Sequence, residues 1–132
     1  MKALIVYLRL ALLVILISAS STYAQILESE PNNEFATSDK IDNSSSLSGQ
    51  LYSTNDTDLY SFDIISPSNV DLKIALPTNS SVYKYFKVRI LDIDEVVYGG
   101  YQSGRSEGEF STFISEPGTY FISLLPETEQ SS

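Results

Sequence analysis

The chain has 132 residues, with 8 basic against 17 acidic side chains for a net charge of −9, and it contains neither cysteine nor histidine. Disulfide stapling, zinc sites built on Cys or His, and Ser-His-Asp or Cys-His catalysis are therefore excluded. So acidic a chain disfavours nucleic acid and anionic membrane as partners and favours cations or basic proteins.

The N-terminus reads as a secretion leader. Lys2 and Arg9 supply a positive start, Leu10–Ile17 is an unbroken apolar run too short to span a bilayer, and Thr22-Tyr23-Ala24 places small residues at the −3 and −1 positions of a cleavage site. The rival reading, an uncleaved anchor, would extend the apolar stretch back to Ala3 and bury Arg9 near the bilayer centre, at a high cost. Lipid attachment at a processed cysteine is excluded, because no cysteine follows the apolar run. Residues 1–24 are thus predicted to be a signal peptide. Cleavage after Ala24 removes two basic residues and no acidic ones, leaving 108 residues at a net charge of −11. That length suits one domain with one core. The expected destination is secreted or periplasmic, and the lack of cysteine leans towards a bacterial source.

Residues 25–46 are polar and acidic, with Pro31, Asn32-Asn33 and Ser44-Ser45-Ser46, and read as an extended opening segment. Within it, Glu34–Lys40 admits a short helix. From residue 47 the hydrophobic period is two. Tyr60, Phe62 and Ile64 alternate with wetter positions, as do Val70, Leu72 and Ile74, then Phe86, Val88 and Ile90, then Tyr120, Ile122 and Leu124. Turn residues separate the runs: Ser66-Pro67-Ser68-Asn69, Pro77-Thr78-Asn79-Ser80, Gly99-Gly100, Gly104–Gly108 and Pro117-Gly118. The spacing predicts strands near 47–52, 58–65, 69–76, 83–92, 95–101, 108–114 and 119–125, each with one core face and one wetter face. Short strands at this density imply an all-β sandwich or barrel, with residues 47–132 as its body and 25–132 as one domain.

Three stretches carry a recognisable pattern. Glu28-Ser29-Glu30-Pro31-Asn32-Asn33 opens the exported chain. Ser48-Gly49-Gln50-Leu51 leads into Asn55-Asp56-Thr57-Asp58-Leu59-Tyr60-Ser61-Phe62-Asp63. The last strand is Pro117-Gly118-Thr119-Tyr120-Phe121-Ile122-Ser123-Leu124. In order and spacing, over Glu28–Leu125, the chain resembles the bacterial pre-peptidase C-terminal domain family, whose relatives include the collagen-binding domains of clostridial collagenases. The resemblance implies a jelly-roll-like antiparallel β-sandwich of about seven or eight strands. It also implies an accessory domain of secreted peptidases and, in the collagen-binding relatives, calcium held through the opening segment. Here the leader sits almost directly on the domain, with no peptidase between them.

The residues support a calcium site in their own terms. In an extended segment Glu28, Glu30 and Asn32 share a face, and Pro31 biases Glu30 towards that geometry. Asp56 and Asp58, two apart at the start of a strand, also point together. These are hard oxygen ligands suited to calcium. The other reading is a solvated acidic turn whose Asn and Asp side chains make local hydrogen bonds. Ser48 or Asn33 would be further oxygen donors.

Tyr83, Tyr85, Tyr98 and Tyr101 concentrate aromatic surface in the middle strands. Tyr98 and Tyr101 are the candidate ligand-binding residues, because rigid aromatic rings on a sheet face make a low-entropy platform. In the collagen-binding relatives a tyrosine-bearing face takes the ligand, and a second important tyrosine there corresponds to Leu125 here. Strand tyrosines also occur simply because they fit a half-buried pleat. Asp92, Asp94 and Glu95 read as a hairpin turn and Arg105 as a solvated loop charge.

The expected function is non-catalytic: a secreted binding or accessory domain for an extracellular protein or polysaccharide ligand, with calcium as the cofactor and no catalytic residues. Two alternatives belong to other classes. One is a small carboxylate-dependent, polysaccharide-active enzyme, which needs two acids across a cleft with one raised pKa. The other is a pro-segment or chaperone acting in trans on a secreted protease.

Overall fold

Alternation of apolar and polar side chains builds two sheets that share one interior. The computed structural model describes residues 3–11, 25–42, 46–50, 56–75, 86–103 and 108–126. In chain order the strands are β1 (Ala3–Ala11), β2 (Gln25–Leu27), β3 (Asp39–Lys40), β4 (Ser46–Gln50), β5 (Asp58–Ile64), β6 (Ser68–Ala75), β7 (Phe86–Leu91), β8 (Val97–Ser103), β9 (Gly108–Ile114) and β10 (Gly118–Pro126). One five-stranded sheet runs β2-β4-β1-β6-β9 and the other β3-β5-β10-β7-β8. Pairing is antiparallel except where β2 joins β4 and β3 joins β5. The fold is an all-β, jelly-roll-like sandwich.

The core is the set of residues that the period of two puts on the inner faces. Tyr60, Phe62 and Ile64 of β5 meet Val70, Leu72 and Ile74 of β6, Phe86, Val88 and Ile90 of β7, Ile114 of β9, and Tyr120, Ile122 and Leu124 of β10. At about 1.5–3 kcal/mol for each large apolar side chain taken out of water, this set is the main force holding the sheets together.

All seven strands expected from the pattern are present, with ends shifted by no more than two residues where the chain is described. The ten strands exceed the expected seven or eight, because three short or unexpected pairings add to them. β2 and β3 form within the opening segment. They are two- and three-residue pairings along the sandwich edge, too short for periodicity to register. Residues 51–52 and 83–85, with Tyr83 and Tyr85, lie outside the described residues, as do Arg105 and the expected cleavage site at 22–24.

The third addition is β1. Ala3–Ala11, part of the segment expected to be a leader, lies between β4 and β6 in antiparallel register with both. Its run of Leu, Ile, Val and Tyr has the composition of a strand as well as of a leader.

The expectation of one wetter face fails at β10. Tyr120, Phe121, Ile122, Ser123 and Leu124 are all buried. The outward side is covered because Phe35, on a 3-10 helix at Phe35–Thr37, meets the Phe121 ring edge-on at 4.6 Å. Leu59 and Leu91 complete this second cluster. The helix expected at Glu34–Lys40 is thus a single 3-10 turn, and its end runs into β3. An exposed ion pair from Lys40 to Asp63 at 2.8 Å, with the Thr119 hydroxyl donating to the other Asp63 oxygen at 2.8 Å, fastens β3 to β5 and β10. Exposure to solvent makes that pair a weak contributor to stability.

Candidate metal centre

The opening segment leaves one sheet at β2 and joins the other at β3, so Glu28–Glu34 crosses the end of the sandwich. The Leu59 backbone N–H donates to the Asn32 carbonyl at 3.1 Å, pinning the arm to the start of β5. Ser29 N–H donates to Asp39 Oδ2 at 2.8 Å. The arm is irregular rather than extended here, and the Glu30–Pro31 bond is cis.

These attachments bring the acids together. Carboxylate oxygens of Glu28, Glu30 and Asp58 all lie within 4.8 Å of one another. Asn32 and Asp58 are fully buried, with no exposed surface, and Asp56 is nearly so. Neither the Asn32 amide oxygen and nitrogen nor either Asp58 oxygen has a hydrogen-bond partner among the described residues. Such orphaned groups each cost about 1–3 kcal/mol or more. Asn32 N–H donates to Glu30 Oε2 at 3.3 Å, which holds Glu30 towards the cluster although its side chain is exposed.

Electrostatics give the same picture. Burial, and then the neighbouring charges of Glu28, Asp56 and Glu30, push the Asp58 carboxyl up from its usual 3.8 to about 9. The Tyr60 hydroxyl is also raised, first by burial and then by Asp58 and Glu28. Carboxylates this close cannot all ionise by themselves. Two remedies exist: a proton held on Asp58 and shared with Glu28, or a cation among the oxygens. The donor set is entirely oxygen, which suits a hard cation. Three oxygens with no pair more than 4.8 Å apart lie within about 2.8 Å of a common centre, so a slight contraction would bring all three to the calcium–oxygen distance of about 2.3–2.6 Å.

Of the five sequence-derived candidates, Glu28, Glu30 and Asp58 bring carboxylate oxygens together, Asn32 is buried with its N–H on Glu30, and the Asp56 charge acts on Asp58. The face-sharing argument reached them through a strand geometry that the arm does not have. Asn33 plays another part. With its amide turned to match its neighbours, its nitrogen donates to Asp56 Oδ1 at 3.2 Å and to the Thr57 carbonyl at 2.6 Å, so it braces the loop and presents no oxygen. Ser48 lies in β4, two strands of the other sheet from β6.

The two candidate tyrosines have packing partners instead. Tyr101 packs against the core beside Phe86, with ring centroids 6.5 Å apart. Tyr98 sits edge-on to Tyr120 at 5.2 Å, and its hydroxyl donates to Asp92 Oδ2 at 2.9 Å. Asp92 also accepts from the Asp94 and Val96 N–H groups at 2.9 and 3.0 Å, so this trio fixes the β7–β8 hairpin with Glu95 at a positive φ of 63°. An open groove of about 440 Å³ among the described residues lies elsewhere, on the outer face of the second sheet. Phe35, Leu59, Leu91, Val97 and Leu125 line it together with Arg89, while neither Tyr98 nor Tyr101 does. The sequence had no periodic signal for this groove, because its walls come from the outer rows of four strands and from the 3-10 turn at Phe35.

Among the described residues no helix is long and apolar enough to cross a membrane. Comparison with protein-family models and with curated proteins finds no match to this chain.

Proposed function

We propose that this chain is an exported, non-catalytic β-sandwich binding module whose N-terminal arm is closed onto the fold by a calcium ion. The observation that carries the reading is the gathering of Asn32 and Asp58, both buried with side-chain polar atoms that no donor or acceptor among the described residues satisfies, beside Glu28 and Glu30. A cation turns their repulsion into coordination and satisfies the orphaned oxygens at once. The acid with the strongly raised pKa is out of a substrate's reach, which favours binding over the carboxylate-enzyme alternative. The outer groove, lined by apolar Phe35, Leu59, Leu91, Val97 and Leu125 and by polar Glu34, Arg89 and Glu95, is where an extracellular protein or polysaccharide would find a concave surface of mixed character.

Thermal unfolding in calcium, magnesium and chelator tests the reading, for the natural chain and for Glu30→Gln and Asp58→Asn. Binding to the folded state alone adds about 2.7 kcal/mol when free calcium is a hundred times its dissociation constant. Magnesium adds less, because it prefers a tight octahedron and retains its waters. An unchanged midpoint in millimolar calcium, or equal responses from all three chains, removes the assignment.

A further inference from the structure

β1 is the middle strand of its sheet, and it comes from a segment that the sequence marks for removal. Seven register pairs join it to β6, from Ile5–Ala75 to Ala11–Asn69, and five join it to β4, from Ala3–Gln50 to Tyr7–Ser46. Because β4 and β6 are both antiparallel to β1, they run parallel to each other. They stand two strand spacings apart, about 9–10 Å, too far to hydrogen-bond directly.

Without β1 the sheet divides. β2 and β4 form one piece, β6 and β9 the other, and each inner edge exposes unpaired N–H and C=O groups. The core would open as well, since Val70, Leu72 and Ile74 of β6 are fully buried in the intact sandwich. The second sheet keeps all five of its strands.

We propose that the slot between β4 and β6 is a strand-acceptor site. Ala3–Ala11 occupies it in the uncleaved chain, and after cleavage it receives an extended segment of another exported polypeptide. The register states what that segment must be. It runs antiparallel to both neighbours over about seven to nine residues. The residues across from Ile74, Leu72 and Val70 are Val6, Leu8 and Leu10, so its alternate positions are apolar. The residue across from Asp71 is Arg9. A basic residue there suits a body whose net charge after cleavage is −11. Main-chain hydrogen bonds on both edges supply affinity, and the alternate apolar positions supply register and selectivity. The inference does not rest on the cation reading.

The test uses the full chain with a specific protease site inserted between residues 12 and 24, so that the leader can be cut after folding. After the cut, the fragment bearing Ala3–Ala11 should remain bound. A labelled synthetic peptide with the sequence of Ala3–Ala11, flanked by solubilising lysines, should replace it. A peptide with Asp in place of Val6, Leu8 and Leu10 should bind more than about tenfold more weakly. Release of the fragment to leave a monomer with an unchanged unfolding midpoint and no peptide uptake would overturn the proposal. So would equal uptake of both peptides, or pairing of the emptied chains with each other in preference to the peptide. A second measurement needs no cut. The chain has no cysteine of its own, so Tyr7→Cys with Lys73→Cys, a Cα pair across β1 and β6, should form a disulfide on mild oxidation. Failure of that bond in a folded chain also overturns the proposal.

Discussion

Replacing Asp58 with Asn should stabilise this protein in chelator and destabilise it in calcium. In the folded chain the Asp58 carboxyl titrates near 9, against 3.8 in its ordinary state, and burial is the largest cause. An acid with a raised folded pKa contributes most stability below its unfolded pKa, where both states hold the proton. That contribution falls as pH rises, because the unfolded chain releases a proton that the folded chain retains, and it is gone once pH passes the folded pKa. One proton corresponds to about 1.4 kcal/mol per pH unit. Between pH 5 and pH 7 the natural chain should therefore lose about 2–3 kcal/mol relative to Asp58→Asn, or roughly 10 °C in unfolding midpoint for a domain of this size. Because the Asp58 proton is shared with Glu28, the difference between the two chains reports the titration of that pair. Saturating calcium should abolish or reverse the difference, since coordination requires the ionised carboxylate. The assay is thermal unfolding followed by circular dichroism from pH 5 to pH 8, in chelator and in calcium. Parallel pH profiles for the two chains in chelator would refute the reasoning, because Asp58 would then carry no raised pKa.

Three further outcomes follow from other parts of the fold. A Cβ added at Gly108 would fall inside the Tyr101 ring, so Gly108→Ala should displace that ring from the core and cost about 1–3 kcal/mol in chemical denaturation. Glu95→Asn should raise the unfolding midpoint slightly, by up to about 1 kcal/mol, because Asn accepts the left-handed φ of 63° more readily than Glu. The purified chain should show no turnover of peptide, ester or common glycan substrates, and a turnover lost on replacing one Asp or Glu would promote the carboxylate-enzyme alternative.

The body strands were legible because each of them buries one row of alternating side chains, as Tyr60-Phe62-Ile64 and Phe86-Val88-Ile90 do, and period two is visible without knowing the partner strand. What covers the opposite row was not legible. Phe121 and Leu59 are buried on the outward side only because the turn at Phe35 folds over them from about 85 residues away in sequence for Phe121. The acid cluster was legible as a set of residue types, since Glu28, Glu30, Asn32, Asp56 and Asp58 were all named from spacing and resemblance. Its geometry was not, because it depends on the irregular crossing of the arm and on the single bond from Leu59 N–H to the Asn32 carbonyl. The tyrosines illustrate the opposite limit. A strand tyrosine has the same local signature whether its ring packs into the core, as with Tyr101, or stays exposed with one edge on another ring, as with Tyr98, and only the partner strand decides. β1 was masked for a related reason, because an apolar run rich in Leu, Ile and Val satisfies a leader and a central strand equally well.

A crystal structure of residues 25–132 grown in calcium shows directly whether an ion sits among the oxygens of the arm and β5. The account predicts one strong density peak bonded to the carboxylates of Glu28, Glu30 and Asp58 and to the Asn32 amide oxygen, at the calcium–oxygen distance of about 2.3–2.6 Å. Water-like density at ordinary hydrogen-bond distances from Asp58, with calcium bound elsewhere or nowhere, would contradict it.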